Sequence, residues 1–245
     1  MIAYLTSHIG GSYKKDGKRI PTQLSVENGL LDSLQEHWKS NSNVLIISAD
    51  ADAIEINDSI LNTFAEAFPI SGLSINRIIM CDKRNEDIVS TIADYDVIIL
   101  AGGHVPTQNR FFHKIQLKNH IKDFNGILIG ISAGTMNCAE IVYAQPELQG
   151  ESIDKEYRRF LHGLGITELM ILPHYQEIKD EMLDGKRLLE DITYPDSYGK
   201  EFYALVDGSY IIIENDSATL FGEAYLIKNA NIKKICKKDK SICIK

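Results

Sequence analysis

Residues 126–134 read GILIGISAG. An apolar, β-type run passes directly into Gly130-Ile131-Ser132-Ala133-Gly134, a G-x-S-x-G pattern at the end of a strand. The residues that follow, AGTMNCAEIV (133–142), read as the start of a helix. A serine on so sharp a strand-to-helix turn has its Oγ held clear of the backbone. The flanking glycines let the turn close, and the helix start presents free N–H groups. Those are the parts that an acyl-transfer nucleophile requires. A lone G-x-S-x-G also occurs in ordinary tight turns, so its surroundings decide.

Outward from this stretch, strands and helices alternate. IAYLT (2–6) reads as a first strand, followed by the loop Ser7-His8-Ile9-Gly10-Gly11. Residues 21–38, opening with Pro21-Thr22, show one apolar helical face. Strands are expected at 43–48, 75–80 and 96–101, and helices at 59–68, 85–94 and 108–124, with an acidic loop at 49–58. The strands are continuous apolar runs without polar alternation, the pattern of a parallel sheet covered on both faces. After an irregular polar segment (143–165), a strand at 168–172 ends at Pro173-His174 and a helix is expected at 177–192. In the last third, FYALVDGSYIIIE (202–214) places Asp207-Gly208 between two β-type runs, a hairpin signal, and 218–228 reads as a second hairpin. The expected fold is α/β: a doubly wound, mostly parallel sheet with helices on both faces and antiparallel hairpins in the C-terminal third. No repeat or linker divides it, so residues 1–245 are read as one domain.

The chain carries 26 basic and 34 acidic residues, a formal net charge of −8. An acidic chain argues against nucleic acid and against an anionic membrane surface as partners. The one basic cluster, Lys233 to Lys240, reads as a solvated edge. Cys81, Cys138, Cys236 and Cys243 form no C-x-x-C pair and have no zinc-ligand spacing, so no metal is expected and the thiols are read as reduced. No run is long and apolar enough to span a membrane, and the N-terminus lacks the marks of a signal peptide. A cytoplasmic location follows as the expectation. The size class suggests a homodimer.

Four polar features sit at strand ends: Gly102-Gly103-His104, Ser132, His174 and Asp207. Loops at the carboxyl ends of parallel strands converge on one edge of a sheet, where ligands bind. A serine hydroxyl needs a base, and His174 in LPHYQ is the candidate, with His104 as the other histidine that follows a strand. His8, His37, His113, His120 and His162 are the remaining histidines. The base in turn needs an acid, for which Asp207 at a strand end competes with Glu147 in the irregular segment. An oxyanion needs two N–H donors, and those of Ala133 and Gly103 are the candidates.

These residues resemble the dipeptidase E and cyanophycinase family of serine peptidases, whose fold is similar to that of class I glutamine amidotransferases. The resemblance rests on ILAGGH (99–104), IGISAGTMN (129–137), ILPHYQ (171–176) and FYALVDGSYIII (202–213), and their order and spacing match over most of the chain. It implies Ser132 as nucleophile, His174 as base, Gly103 and Ala133 in the oxyanion hole, and Asp207 or Glu147 as the acid. It also implies small Asp-containing peptides as substrates, with no metal or organic cofactor. Two departures stand out: His104 follows the glycine pair where the family has Asn or Asp, and the cation that would hold a substrate carboxylate has no single match. Arg187, Lys186 and Arg110 are the candidates, and Asp184 occupies one plausible alignment. The reading that follows is a serine-type peptidase acting on a small peptide or amide through an acyl-enzyme on Ser132. The rivals are an esterase or thioesterase of α/β-hydrolase type, with the chain order Ser, acid, His that Glu147 fits, and a non-catalytic amidotransferase-like binding module.

Overall fold

The computed structural model describes residues 1–215 and 217–245. The first half runs β1 (Ile2–Thr6), β2 (Gly10–Lys15), β3 (Lys18–Leu24), α1 (Leu30–His37), β4 (Ser42–Ile47), α2 (Ile54–Ile70), β5 (Ile75–Cys81), β6 (Val97–Leu100), α3 (Val105–Lys114), α4 (Leu117–Ile121), β7 (Ile127–Ile131) and α5 (Ala133–Met136). Then come β8 (Ile141–Tyr143), β9 (Phe160–His162), β10 (Met170–Leu172), α6 (Tyr175–Ile178), β11 (Met182–Leu183), β12 (Lys186–Arg187) and α7 (Tyr194–Asp196). The chain continues through β13 (Glu201–Leu205), β14 (Tyr210–Glu214), β15 (Ser217–Phe221), β16 (Ala224–Lys228), β17 (Asn231–Cys236) and β18 (Ser241–Cys243). Among the described residues, no helix is long and apolar enough to cross a membrane.

The main sheet has eight strands in the order β18-β15-β14-β1-β7-β6-β4-β5. Its half from β1 to β5 is parallel, and β14, β15 and β18 continue it antiparallel. The apolar runs explain the parallel half. In β1, Ala3 and Leu5 enter the core on one face while Ile2 and Tyr4 enter the core on the other. Leu45 and Ile47 of β4, and Ile98 and Leu100 of β6, alternate in the same way with Val44, Ile46, Val97 and Ile99. Each such side chain contributes about 1.5–3 kcal/mol on burial, so a one-residue slip would disturb both cores at once.

A second sheet of four strands, β10-β13-β16-β17, packs beside the first over its own core of Leu172, Phe202, Ala204 and Ile227. This sheet corrects the expected hairpins. β13 pairs with β10 and β16, whereas β14 pairs with β1 and β15. The Asp207-Gly208 segment is therefore a crossing from one sheet to the other, not the tip of a hairpin. The stretch 218–228 likewise divides between the two sheets, and the true hairpins are β14–β15 and β16–β17.

Four expected helices are also corrected. In 21–38 the chain stays extended to Leu24, and Asn28 and Gly29, at φ of 53° and 77°, delay the helix until Leu30. Leu24, Leu30, Leu31 and Leu34 do share one core, which is why their spacing read as one helical face. The expected 108–124 helix breaks at Gln116 (φ 50°), and α2 begins earlier than expected, at Ile54. In 177–192 only Tyr175–Ile178 forms an α-helix; Asp184 and Gly185, at φ of 52° and 79°, then turn the β11–β12 hairpin. Positive φ at both central positions is the hairpin turn that Asp-Gly favours.

Candidate active site

Ser132 leaves β7 at φ 51°, ψ −113°, a conformation that costs a non-glycine residue of order 1–3 kcal/mol and persists where the surroundings impose it. The neighbours that impose it are identifiable. The Ser132 N–H donates to Thr6 O (3.1 Å), and Thr135 Oγ1 donates to the same carbonyl (2.8 Å). The two glycines of the motif are steric necessities: a Cβ at Gly130 would lie 2.8 Å from Thr135 Cα, and one at Gly134 would overlap Leu100 O. The helix behind the serine is a single turn, Ala133–Met136, shorter than the sequence suggests, and the chain turns away toward β8. Charge developing at the site would therefore meet discrete N–H groups rather than the field of a long helix.

His174 follows β10 at φ 57°, another left-handed, non-glycine residue. Its Nε2 accepts from Ser132 Oγ at 2.9 Å and its Nδ1–H donates to Asp207 Oδ1 at 2.7 Å. Ser132 and His174 line one cavity of about 300 Å³, together with Ser7, His8, Gly102, Gly103, Arg19 and Phe64 among others. The Asp207 side chain stands behind His174, and the Asp207 N–H donates to Gln176 Oε1 (3.0 Å).

Burial alone would push the His174 imidazole down, but the Asp207 bond and charge, with Glu177 and Glu147, overcome it and hold the ring above its ordinary value. Burial works on Asp207 in the opposite sense and is again outweighed. The His174 and Ser7 hydrogen bonds hold the carboxyl below the usual carboxylate range. The pair is thus an ionised acid facing a ring that gains a second proton readily, as a base that must carry a proton between steps requires.

Glu147, the other candidate acid, makes no bond to His174. Its backbone N–H donates to Glu151 Oε2 (2.9 Å), and its carboxyl is pushed up to about 7 by desolvation and by Glu151 and Glu181, although the residue keeps contact with solvent. His104 stands at the N-cap position of α3 without bonding the helix backbone: its Nδ1 bonds Thr107 Oγ1 (2.9 Å), while a Glu151 oxygen lies 2.9 Å from Nε2 but out of line for a hydrogen bond. Gly102 and Gly103 do not take positive φ, so the pair is no left-handed turn; a Cβ at Gly103 would stand 2.5 Å from Ala49 Cβ. The Gly103 and Ala133 N–H groups donate to no partner among the described residues, which leaves both available.

The candidate cations are placed elsewhere. Arg110 is exposed and bonds Thr107 Oγ1 (3.1 Å), Arg187 pairs with Asp191 (2.9 Å), and Lys186 donates to Ser152 O (2.8 Å). None of the three lines the cavity, but Arg19 does, and it makes no ion pair among the described residues. Sequence reasoning missed Arg19 because the β2–β3 hairpin that carries it was not foreseen. It missed Ser7, although Ser7 follows β1, a strand end of the kind that singled out the others, and it left His8 among the alternative histidines. His174, Glu177 and Asp207 also bring donor atoms within 4.8 Å of one another, a spacing that could hold a metal ion. Both nitrogens of His174 are already engaged, by Ser132 and Asp207, so the hydrogen-bonded relay has the prior claim on these residues.

A sequence model of peptidase family S51 matches residues 20–221. No protein with a curated description matches the chain. Among solved structures, a Listeria monocytogenes EGD-e protein provisionally described as a peptidase E superposes with a TM-score of 0.57, covering 96% of this chain and 98% of that one at 14% identity, a likeness of fold.

Proposed function

The chain belongs to peptidase family S51, a family of serine peptidases, and from that premise we propose that Ser132 is its nucleophile, acting on a small peptide through an acyl-enzyme. The observation that carries this reading is the unbroken relay from Ser132 Oγ through His174 to Asp207, at 2.9 and 2.7 Å. In acylation, His174 Nε2 takes the Ser132 proton as Oγ attacks the scissile carbonyl. The imidazolium then returns that proton to the leaving amine. In deacylation the same nitrogen takes a proton from the water that attacks the ester, and returns it to Ser132 Oγ as the C–O bond breaks and the acid product leaves. Asp207 fixes the tautomer and stabilises the imidazolium. The N–H groups of Ala133 and Gly103 receive the oxyanion.

Arg19 supplies the cation that an acidic substrate side chain or terminal carboxylate would meet, and it stands on the wall of the same cavity as Ser132. This favours Asp-containing peptides of the size that a cavity of about 300 Å³ admits. The test is intact mass after exposure to a fluorophosphonate, followed by turnover of a panel of Asp-X dipeptides. A single adduct on the native chain, absent from Ser132→Ala, is expected. An equal adduct on the alanine variant would place the reactive group elsewhere and end the assignment.

A further inference from the structure

We infer that Ser7 is a positioning residue for the relay, holding base and acid in one geometry; the inference rests on the nucleophile reading of Ser132. The relay is assembled from two sheets. Ser132 follows β7 of the main sheet, whereas His174 and Asp207 follow β10 and β13 of the smaller one. Something must fix the second sheet's residues against the first. Thr6-Ser7, at the end of β1 in the main sheet, touches every segment involved. Thr6 O accepts from Ser132 N–H and Thr135 Oγ1. Ser7 Oγ accepts from the His174 N–H (2.8 Å) and donates to Asp207 Oδ1 (2.6 Å).

The direction of the Ser7 proton is set by its surroundings. The hydroxyl has one proton, its oxygen already accepts from His174, and its other acceptor, Leu205 O, lies at 3.5 Å. The proton therefore goes to Asp207 Oδ1, the same oxygen that receives the His174 Nδ1–H. One carboxylate oxygen is thereby held by two donors, which fixes its rotation about the side chain. Ser7 is fully buried in the folded chain. A hydroxyl that merely satisfied its own polar atoms would need neither of these partners to belong to the relay.

Removing the hydroxyl has three consequences. The Asp207 carboxyl loses a donor that keeps it ionised, the His174 N–H loses its acceptor, and the carboxylate becomes free to turn away from Nδ1. With that bond weakened, the imidazole is held above its ordinary value less strongly. The base becomes less basic, and the acid limb of the rate profile moves to lower pH.

The experiment compares rates of fluorophosphonate labelling of Ser132 across pH, by intact mass, for the native chain and for Ser7→Ala, Ser7→Cys and Ser7→Thr, with folding checked by circular dichroism. Ser7→Ala is expected to react about 10- to 100-fold more slowly at neutral pH, with its acid limb shifted down. Ser7→Thr, which keeps the hydroxyl, should return toward the native profile. Ser7→Cys keeps the shape with a weaker donor and should fall between; it carries the test should the alanine variant not fold. A folded Ser7→Ala or Ser7→Cys with the native rate and limb, even at a lowered melting temperature, would overturn the inference and leave Ser7 a buried serine. Failure of the underlying reading looks different: the native chain itself would then not label, and the inference would fall with it.

Discussion

At the scale of single residues, the relay makes its pH behaviour a matter of sign. His174 must be neutral to accept the Ser132 proton, and Asp207 holds it above its ordinary value of 6.5. The rate should be low where the imidazolium prevails and rise as pH passes upward through a midpoint above that value. Glu147 is among the charges that hold the ring up, so Glu147→Gln should move the midpoint down with little loss at the plateau. Asp207→Asn should instead remove most of the plateau, by about 10⁴-fold, because an amide at that position favours the wrong tautomer. Labelling rates across pH separate the two variants, and the reverse pattern would make Glu147 the working acid. Arg19→Ala should raise KM for an Asp-containing peptide about tenfold while kcat is kept, since a charge-assisted bond to the substrate is made before and during reaction alike. An unchanged KM would take Arg19 out of substrate binding. At this scale, the residues now joined in the relay were legible because each stands just past an apolar run. Ser7 was not, although it stands in the same kind of place. A serine after a strand carries no mark of what it will touch, and its partners lie 167 and 200 residues away.

At the scale of elements, the three Asp-Gly pairs teach the limits of a local signal. Asp16-Gly17 and Asp184-Gly185, set among lysines and arginines, make true hairpin turns with positive φ at both residues. Asp207-Gly208, set between the most strand-like runs of the chain, does not. Only Gly208 (φ 85°) is left-handed, at the third position of a turn closed by Ser209 N–H to Val206 O. The apolar flanks that made it read as a hairpin are strands that each find their neighbours in a different sheet. The parallel core was legible throughout, since runs such as VIIL and VLII bury both faces. The helices were less so, because an apolar spacing can be shared by a strand end and the helix after it. The glycines of the elbow give an element-scale prediction. Gly134→Ala sets a methyl against Leu100 O and should cost about 1–3 kcal/mol in urea unfolding, with loss of Ser132 labelling as the turn is forced open. Gly17→Ala meets nothing within 4 Å but keeps a strained φ of 76°. It should cost about 1 kcal/mol and leave labelling intact. Equal labelling in both variants would show that the elbow tolerates the added carbon.

At the scale of the whole molecule, the cavity is closed by parts that are far apart in sequence: a hairpin near residue 16, the elbow at 132 and the loop after β10. The strand that holds them together is β1. It lies in the middle of the main sheet with β7 on one side and β14 on the other, so Ala3 faces Leu128 across one ladder and Ile213 across the other. That placement has a consequence in time. During synthesis β1 is made before either neighbour, and its second ladder has no partner until more than 200 further residues have been added. Until then it is an open apolar edge, the kind of segment that pairs wrongly with other chains. Long-range pairing of this sort is slow, because chain closure must precede any gain from contact. The single tryptophan, Trp38, packs on Phe68 of α2, with ring centroids 5.1 Å apart, and so reports a local event. On refolding from urea, its fluorescence should recover well before Ser132 becomes reactive; simultaneous recovery would mean that the two events are one. A nascent or truncated chain that stops short of β14 would hold the serine and the histidine yet leave β1 half paired. The catalytic capacity of this protein would then be among the last things it acquires, and chaperones would meet it first as an unfinished sheet.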